Sequence, residues 1–286
     1  MFFVLSSGRS GSKTIATVLN QFRDCVCLHH PQPELVLEAT EFYYGDLAAD
    51  GIAHVLRTTR LPMIDGKIYG EVNLQHSLLF PVIREVFPKS QFVWLIRDGR
   101  DAVDSMYCRG WYDRSATSVP AVWHQARLSG VRTGDFSEEQ WNGLTRFEKC
   151  CWIWRKYNEI IQDHLSRTPD ELWRQVYLNA LKSSVPSLAE FLGLHEAPNR
   201  IVVEKTNMAR QPLVGWKSWS DEQRHQFENM CASAMDRWHP DWRDRNGMWR
   251  TIEHETPDVP PLWSRGWRMA RQLASKASRR VTRWTR

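Results

Sequence analysis

The chain has 286 residues, of which 42% are hydrophobic and 25% charged, a composition that can bury a sizeable core and excludes a mainly disordered chain. Its formal net charge of +5 is unevenly spread: residues 262–286 carry eight Lys or Arg and no acid, which leaves 30 basic against 33 acidic residues, or −3, for the rest. A body so balanced argues against general nucleic-acid binding, and no nucleic-acid partner is expected.

In chain order, Phe2–Leu5 is a short apolar run ended by Ser and Gly, which predicts a buried parallel strand. Thr14–Phe22 has apolar residues at helical spacing. Cys25–Leu28 predicts a second strand, ending at His29 and His30. Glu34–Leu56 reads as helical with a break near Gly45. Lys67–Val72 is a third strand and Leu78–Phe87 a helix despite Pro81 near its start. Gln91–Ile96, QFVWLI, is the clearest strand, and a helix is expected from Asp101. Phe136–Leu165 is a long helical region rich in Trp, Leu172–Leu178 a late strand, and Val185–Leu192 a short helix ending at Gly193. Asp221–Trp238 is a further helix with Ser220 as its N-cap.

Strand and helix in alternation predict an α/β fold with a central parallel sheet covered by helices on both faces. Ligands in such sheets sit at the carboxyl ends of the strands. Those ends are Ser6–Thr14, His29–His30, Glu71–Asn73 and Arg97–Asp101. The domain is expected over residues 1–250, followed by a basic extension over 251–286.

The six Cys form no CxxC pair, so no zinc or thioredoxin-like site is indicated and no metal is expected; they read as small buried hydrophobes. The N-terminal strand runs straight into a loop, leaving no room for a signal peptide, and no run of 18 apolar residues occurs. A cytoplasmic, reduced protein is expected.

The loop SSGRSGSKT is the main candidate site. Gly8 and Gly11 permit tight turns that aim successive N–H groups at an anion, and the helix that follows adds partial positive charge. Arg9 and Lys13 supply full charge, and Ser10, Ser12 and Thr14 supply hydroxyls. The pattern departs from the nucleotide-triphosphate loop GxxxxGK followed by Ser or Thr, because Ser7 and Ser12 stand where Gly is required. A second cluster, RDGRD, begins at Arg97 on a strand end, with Ser105 eight residues on, about two helical turns into the next helix. Arg97 and Ser105 together suit a second phosphate. A salt-bridged turn reads the same way when RDGRD is taken alone.

With both motifs in view, the sequence resembles the sulfotransferases that use 3′-phosphoadenosine 5′-phosphosulfate (PAPS). Arg9-Ser10-Gly11-Ser12 matches their first loop, with Lys13 departing from the usual hydroxyl residue and Thr14 following it. Arg97 and Ser105 in LIRDGRDAVDS match their 3′-phosphate signature. Arg109–Tyr112 looks like the bacterial and carbohydrate-type branch, and weaker likeness runs through Val176–Leu194 to about residue 240. The resemblance implies a P-loop-like three-layer fold and transfer of a sulfuryl group from PAPS to a hydroxyl or amine of a carbohydrate, lipid-linked or small-molecule acceptor. Arg9, with Lys13, would neutralise the leaving group, and Gly8, Ser10, Gly11, Ser12, Thr14, Arg97 and Ser105 would hold the donor. Arg210 and Lys217 lie where relatives carry a late basic segment.

Three residues remain open as the base that takes the acceptor's proton: Glu71 in YGEVN first, then His29, then His30. Asn73 reads as a cap or an orienting group, and Trp152, Trp154 and Tyr157 as core or an acceptor wall. Two other readings stand beside the sulfotransferase: a P-loop kinase-like phosphotransferase, which would need a metal-binding acid such as Asp98, and a membrane-associated nucleotide-binding protein without turnover. Residues 262–286 place Trp263, Trp267, Ala270, Ala274, Ala277, Val281 and Trp284 on one stripe. That stripe fits a helix on an anionic membrane surface, on the inner face for a cytoplasmic protein, a helix docked on its own domain, or a solvated basic arm.

Overall fold

The computed structural model describes residues 1–60, 66–116, 119–203 and 215–243. These divide into a larger unit, Met1–Arg127 with the chain from Thr145 onward, and a smaller one, Leu128–Leu144. The expected boundary after residue 250, the basic segment 262–286 and Arg210 all lie outside the described residues.

Five strands form the sheet of the larger unit: β1 (Phe2–Leu5), β2 (Cys25–His29), β3 (Ile68–Val72), β4 (Gln91–Ile96) and β5 (Trp173–Tyr177). All neighbouring pairs are parallel and the order is β2-β3-β1-β4-β5. Every predicted strand is present to within a residue or so at each end. From β1 the chain leaves toward β2, whereas from β4 it leaves toward β5. The carboxyl ends of β1 and β4, neighbours in the register Leu5↔Trp94, therefore flank the crevice where strand order reverses, the place where such sheets bind ligands.

Each face of the sheet is covered because the residues of β1 and β4 are apolar in both directions. Phe2, Val4, Val72, Val93, Leu95 and Val176 pack with residues of α1 (Ser12–Leu19) and α9 (Leu181–Leu192). On the other face Phe3 stacks with Phe87 and Phe92, and Phe80 of α4 (Phe80–Val86) lies 4.5 Å from Phe92. Trp94 donates its indole N–H to Asn158 Oδ1 in α8 (Arg146–Leu165) and meets Trp238 of α10 (Asp221–Trp238) edge-on. Fully burying an aromatic side chain of this kind stabilises the fold by about 1.5–3 kcal/mol.

The predicted 34–56 helix is two helices, α2 (Val36–Tyr44) and α3 (Ala49–Arg60), broken at Gly45 as expected. The helix after β4, α5 (Gly99–Cys108), starts two residues before Asp101, because Asp98 caps it by accepting from the Arg100 N–H. A short helix, α6 (Ala121–Gln125), follows. The long Trp-rich region divides into α7 (Glu138–Gly143) in the smaller unit and α8, each opened by a capping box, at Ser137 and Thr145. Ser220 caps α10 in the same way. Trp152, Trp154 and Tyr157 are buried within α8, so the two indoles belong to the core rather than to an acceptor wall. Five of the six Cys are buried, and Cys108 is exposed. Among the described residues no helix is long and apolar enough to cross a membrane.

Candidate active site

The loop after β1 is held from below and turned sharply above. Ser77, in the 3-10 turn Leu74–Ser77, accepts from the Ser6 N–H at 3.3 Å and donates to the Ser6 carbonyl at 3.2 Å. The Ser7 and Ser10 hydroxyls lie 3.0 Å apart, and Ser10 donates to the Gly8 carbonyl. Gly8, Arg9 and Gly11 all take left-handed dihedrals, with φ of 78°, 51° and 88°. Both glycines also lack room for a side chain: a Cβ would lie 2.8 Å from Trp111 at Gly8 and 2.4 Å from Leu178 at Gly11. Gly11 opens α1 without a side-chain cap, so the first backbone N–H groups of that helix have no side-chain oxygen from the residue before them.

Three guanidinium groups converge on this loop. Arg9 Nε donates to Ser105 Oγ at 3.1 Å, and Arg97 Nη1 donates to the Arg9 carbonyl at 2.8 Å. Burial, then Arg109 and Arg97, lowers the Arg9 pKa to about 10. The site is therefore strongly electropositive, and Asp101, 3.9 Å from Arg97, is only a distant counter-charge. Ser105 is buried, Lys13 is exposed at the start of α1, and Ser12 Oγ lies 3.0 Å from His29 Nε2. The sequence-selected residues Gly8, Arg9, Ser10, Gly11, Ser12, Lys13 and Thr14 thus form one loop and helix start, joined by Arg97, Ser105 and His29.

Glu71 does not join them. It is fully buried, with Arg60 Nε at 2.8 Å, His76 Nε2 at 3.0 Å and the Tyr69 hydroxyl donating at 2.6 Å. Burial pushes its pKa up, but His76, Arg60 and Tyr69 outweigh it and hold the carboxyl below its ordinary range. A carboxylate engaged on both oxygens and sealed from solvent is poorly disposed to take a proton from an acceptor. Its partner Arg60 also donates to the carbonyls of Gln32 and Pro33, so the pair ties down the segment that follows His29 and His30.

His29 has the opposite environment. Burial, then His30, Lys13 and Arg9, lowers its pKa to about 4, which leaves the imidazole neutral at physiological pH. His30 packs edge-on against it at 4.2 Å, and its Nδ1 lies 3.0 Å from Glu34 Oε2. Asn73 caps the Leu74–Ser77 turn and donates to the Glu34 carbonyl. Asp98 is committed to the α5 cap and to a two-point contact with Arg100, whose Nη2 lies 2.6 Å from Asp98 Oδ2, which leaves it poorly placed as a metal ligand. Lys217 is exposed in the turn Trp216–Ser218. Ser77, Arg60 and the contact of Trp111 with Gly8 leave no local signal in the sequence.

No family model matches the chain, and no curated protein matches it. Among solved structures it is similar to a sulfotransferase from Alicyclobacillus acidocaldarius, at 14% identity over 87% of this chain and 98% of that one, with a TM-score of 0.49. It is also similar to the sulfotransferase domain from the curacin biosynthetic pathway, at 16% identity over 96% and 97% of the two chains and a TM-score of 0.45. A third likeness is to the sulfotransferase domain of the Synechococcus PCC 7002 olefin synthase, at 14% identity over 82% and 94% and a TM-score of 0.47.

Proposed function

We propose that the chain is a sulfotransferase that moves a sulfuryl group from PAPS to the hydroxyl of an acceptor. The observation that carries this reading is the union of the two anion-binding motifs: the glycine loop and Arg97 meet through the Arg9 carbonyl, and Arg9 reaches Ser105. Two phosphate-sized positions side by side suit a nucleotide with phosphates on both its 3′ and 5′ oxygens. Arg97 and Ser105 hold the 3′-phosphate; the backbone N–H groups of the loop and α1 hold the 5′ side.

In the transfer, the bond from sulfur to the bridging oxygen breaks as a bond to the acceptor oxygen forms. Arg9 and Lys13 stabilise the charge that grows on the bridging oxygen, and Ser12 hydrogen-bonds beside it. His29 takes the acceptor's proton on Nε2, the nitrogen that faces Ser12. Arg60 and Glu71 position the segment after His29 and take no proton.

Replacing Arg97 by Ala tests the donor assignment. Affinity for adenosine 3′,5′-bisphosphate should fall by at least about tenfold, the worth of a lost charge-assisted contact, while affinity for adenosine 5′-phosphate barely changes. Equal losses for both ligands would contradict a 3′-phosphate role.

A further inference from the structure

A guanidinium stands beside the candidate site with no anion to neutralise it among the described residues. Arg127, just after α6, stacks on Trp111 with Cζ 4.3 Å from the ring centroid, and its buried Nε has no hydrogen-bond acceptor among the described residues. The groups that act on it electrostatically are Tyr112, Cys150 and Tyr157. Burial pushes all three pKa values up, so each is neutral at physiological pH. A half-buried guanidinium held by a ring face, with its Nε sealed and unbonded, can take a counter-charge from a ligand.

Its location says which ligand. Trp111, under Arg127, is the same ring that closes on Gly8 of the donor loop. Four residues before Arg127, in α6, Trp123 meets His30 edge-on at 5.6 Å. His30 in turn lies against His29. Thr40 of α2 anchors the segment by donating to the Ala126 carbonyl at 2.7 Å. The short segment 121–127 thus touches the histidine pair through Trp123 and, through Arg127 and Trp111, lies beside the donor loop.

We infer that Trp123 and Arg127 form an acceptor-binding wall, and that the acceptor carries a carboxylate or phosphate that pairs with Arg127 near the hydroxyl receiving the sulfuryl group. This rests on the reading of the Ser6–Thr14 loop as the donor grip and of His29 as the base. Trp123 offers a flat apolar face to the body of the acceptor, and the guanidinium takes its anion through its planar fork.

The test uses the protein saturated with adenosine 3′,5′-bisphosphate and titrated calorimetrically with 4-hydroxybenzoate, 4-hydroxyphenyl phosphate and neutral 4-hydroxybenzamide. At least one anion should bind about tenfold or more tightly than the amide, as expected for a charged hydrogen bond. Arg127→Gln should erase that preference and Arg127→Lys retain part of it, with bisphosphate affinity unchanged in both. The better anion decides between carboxylate and phosphate. Anions and amide binding alike, or a preference that survives Arg127→Gln, would overturn the inference. Repeating the anion titrations without bisphosphate separates the two readings: if the bisphosphate fails to bind but the Arg127-dependent preference remains, only the donor assignment falls.

Discussion

Arg9 and Ser105, 96 positions apart in the chain, are joined by a 3.1 Å hydrogen bond from the Arg9 Nε to the Ser105 hydroxyl oxygen. That bond ties the loop after β1 to the second turn of α5. The hydroxyl accepts from Arg9 and keeps its own O–H to donate, so a phosphate arriving beside it gains a donor without breaking the link. The two halves of the site are preorganised across the crevice between β1 and β4, and binding need not first assemble them.

The loop depends on residues that have no side chain to spare. Gly11→Ala should destabilise the protein by about 1–3 kcal/mol, because an L residue at φ 88° is strained and its Cβ would meet Leu178 at 2.4 Å. Gly45→Ala is the control: φ there is 84°, with nothing within 4 Å of the added carbon. The difference between the two urea midpoints reports the clash with Leu178. Only Gly11→Ala should also weaken bisphosphate binding.

The pH dependence of turnover should carry the mark of His29. A base works in its neutral form, and in the free protein His29 stays neutral down to about pH 4. An anionic donor bound beside it favours the protonated form and raises that pKa. The acid limb of kcat should therefore lie at higher pH than the acid limb of kcat/KM for the donor. His29→Ala should remove both limbs and lower kcat by about 10²–10⁴-fold with the bisphosphate Kd unchanged. Limbs that persist in His29→Ala would assign the base elsewhere. Stability follows the same sign: His29 and His164 both have folded-state values of about 4 against an ordinary 6.5, so the unfolded chain binds more protons between those limits. The urea midpoint should accordingly fall as pH drops from 6.5 toward 4.

Glu71 is expected to act on the fold and not on the proton. Glu71→Gln leaves Arg60 charged, buried and without its counter-ion, a change that costs about 3–5 kcal/mol in comparable buried pairs. Replacing both, as Glu71→Gln with Arg60→Met, should recover part of that loss. The single variant's melting temperature settles the matter: an unchanged value with turnover abolished would restore Glu71 as the base.

The parts of this site that were legible in the chain are those written in local spacing. Apolar runs ending in Ser-Gly or Arg-Asp mark strand ends, and eight residues from Arg97 to Ser105 is strand end plus two helical turns, so the loop and the Arg97–Ser105 pair could both be placed directly. For Glu71 the sequence does not decide, because a carboxylate at a strand end looks the same whether it faces a ligand or is engaged by its neighbours. Only its neighbours decide, and Arg60 comes from the far end of α3. The pairing of Arg127 with Trp111, and of Trp111 with Gly8, likewise exists only after the chain has folded. Helix α9 begins at Leu181, four residues before Val185, and carries Pro186 inside it.

The central claim, a site built for a 3′,5′-bisphosphorylated nucleotide, is tested most directly by calorimetry on the intact protein with adenosine 3′,5′-bisphosphate and, separately, with ATP and Mg²⁺. The account predicts saturable one-to-one binding of the bisphosphate, weakened as salt rises, and much weaker binding of ATP with Mg²⁺. Binding of ATP with Mg²⁺ alone would contradict it.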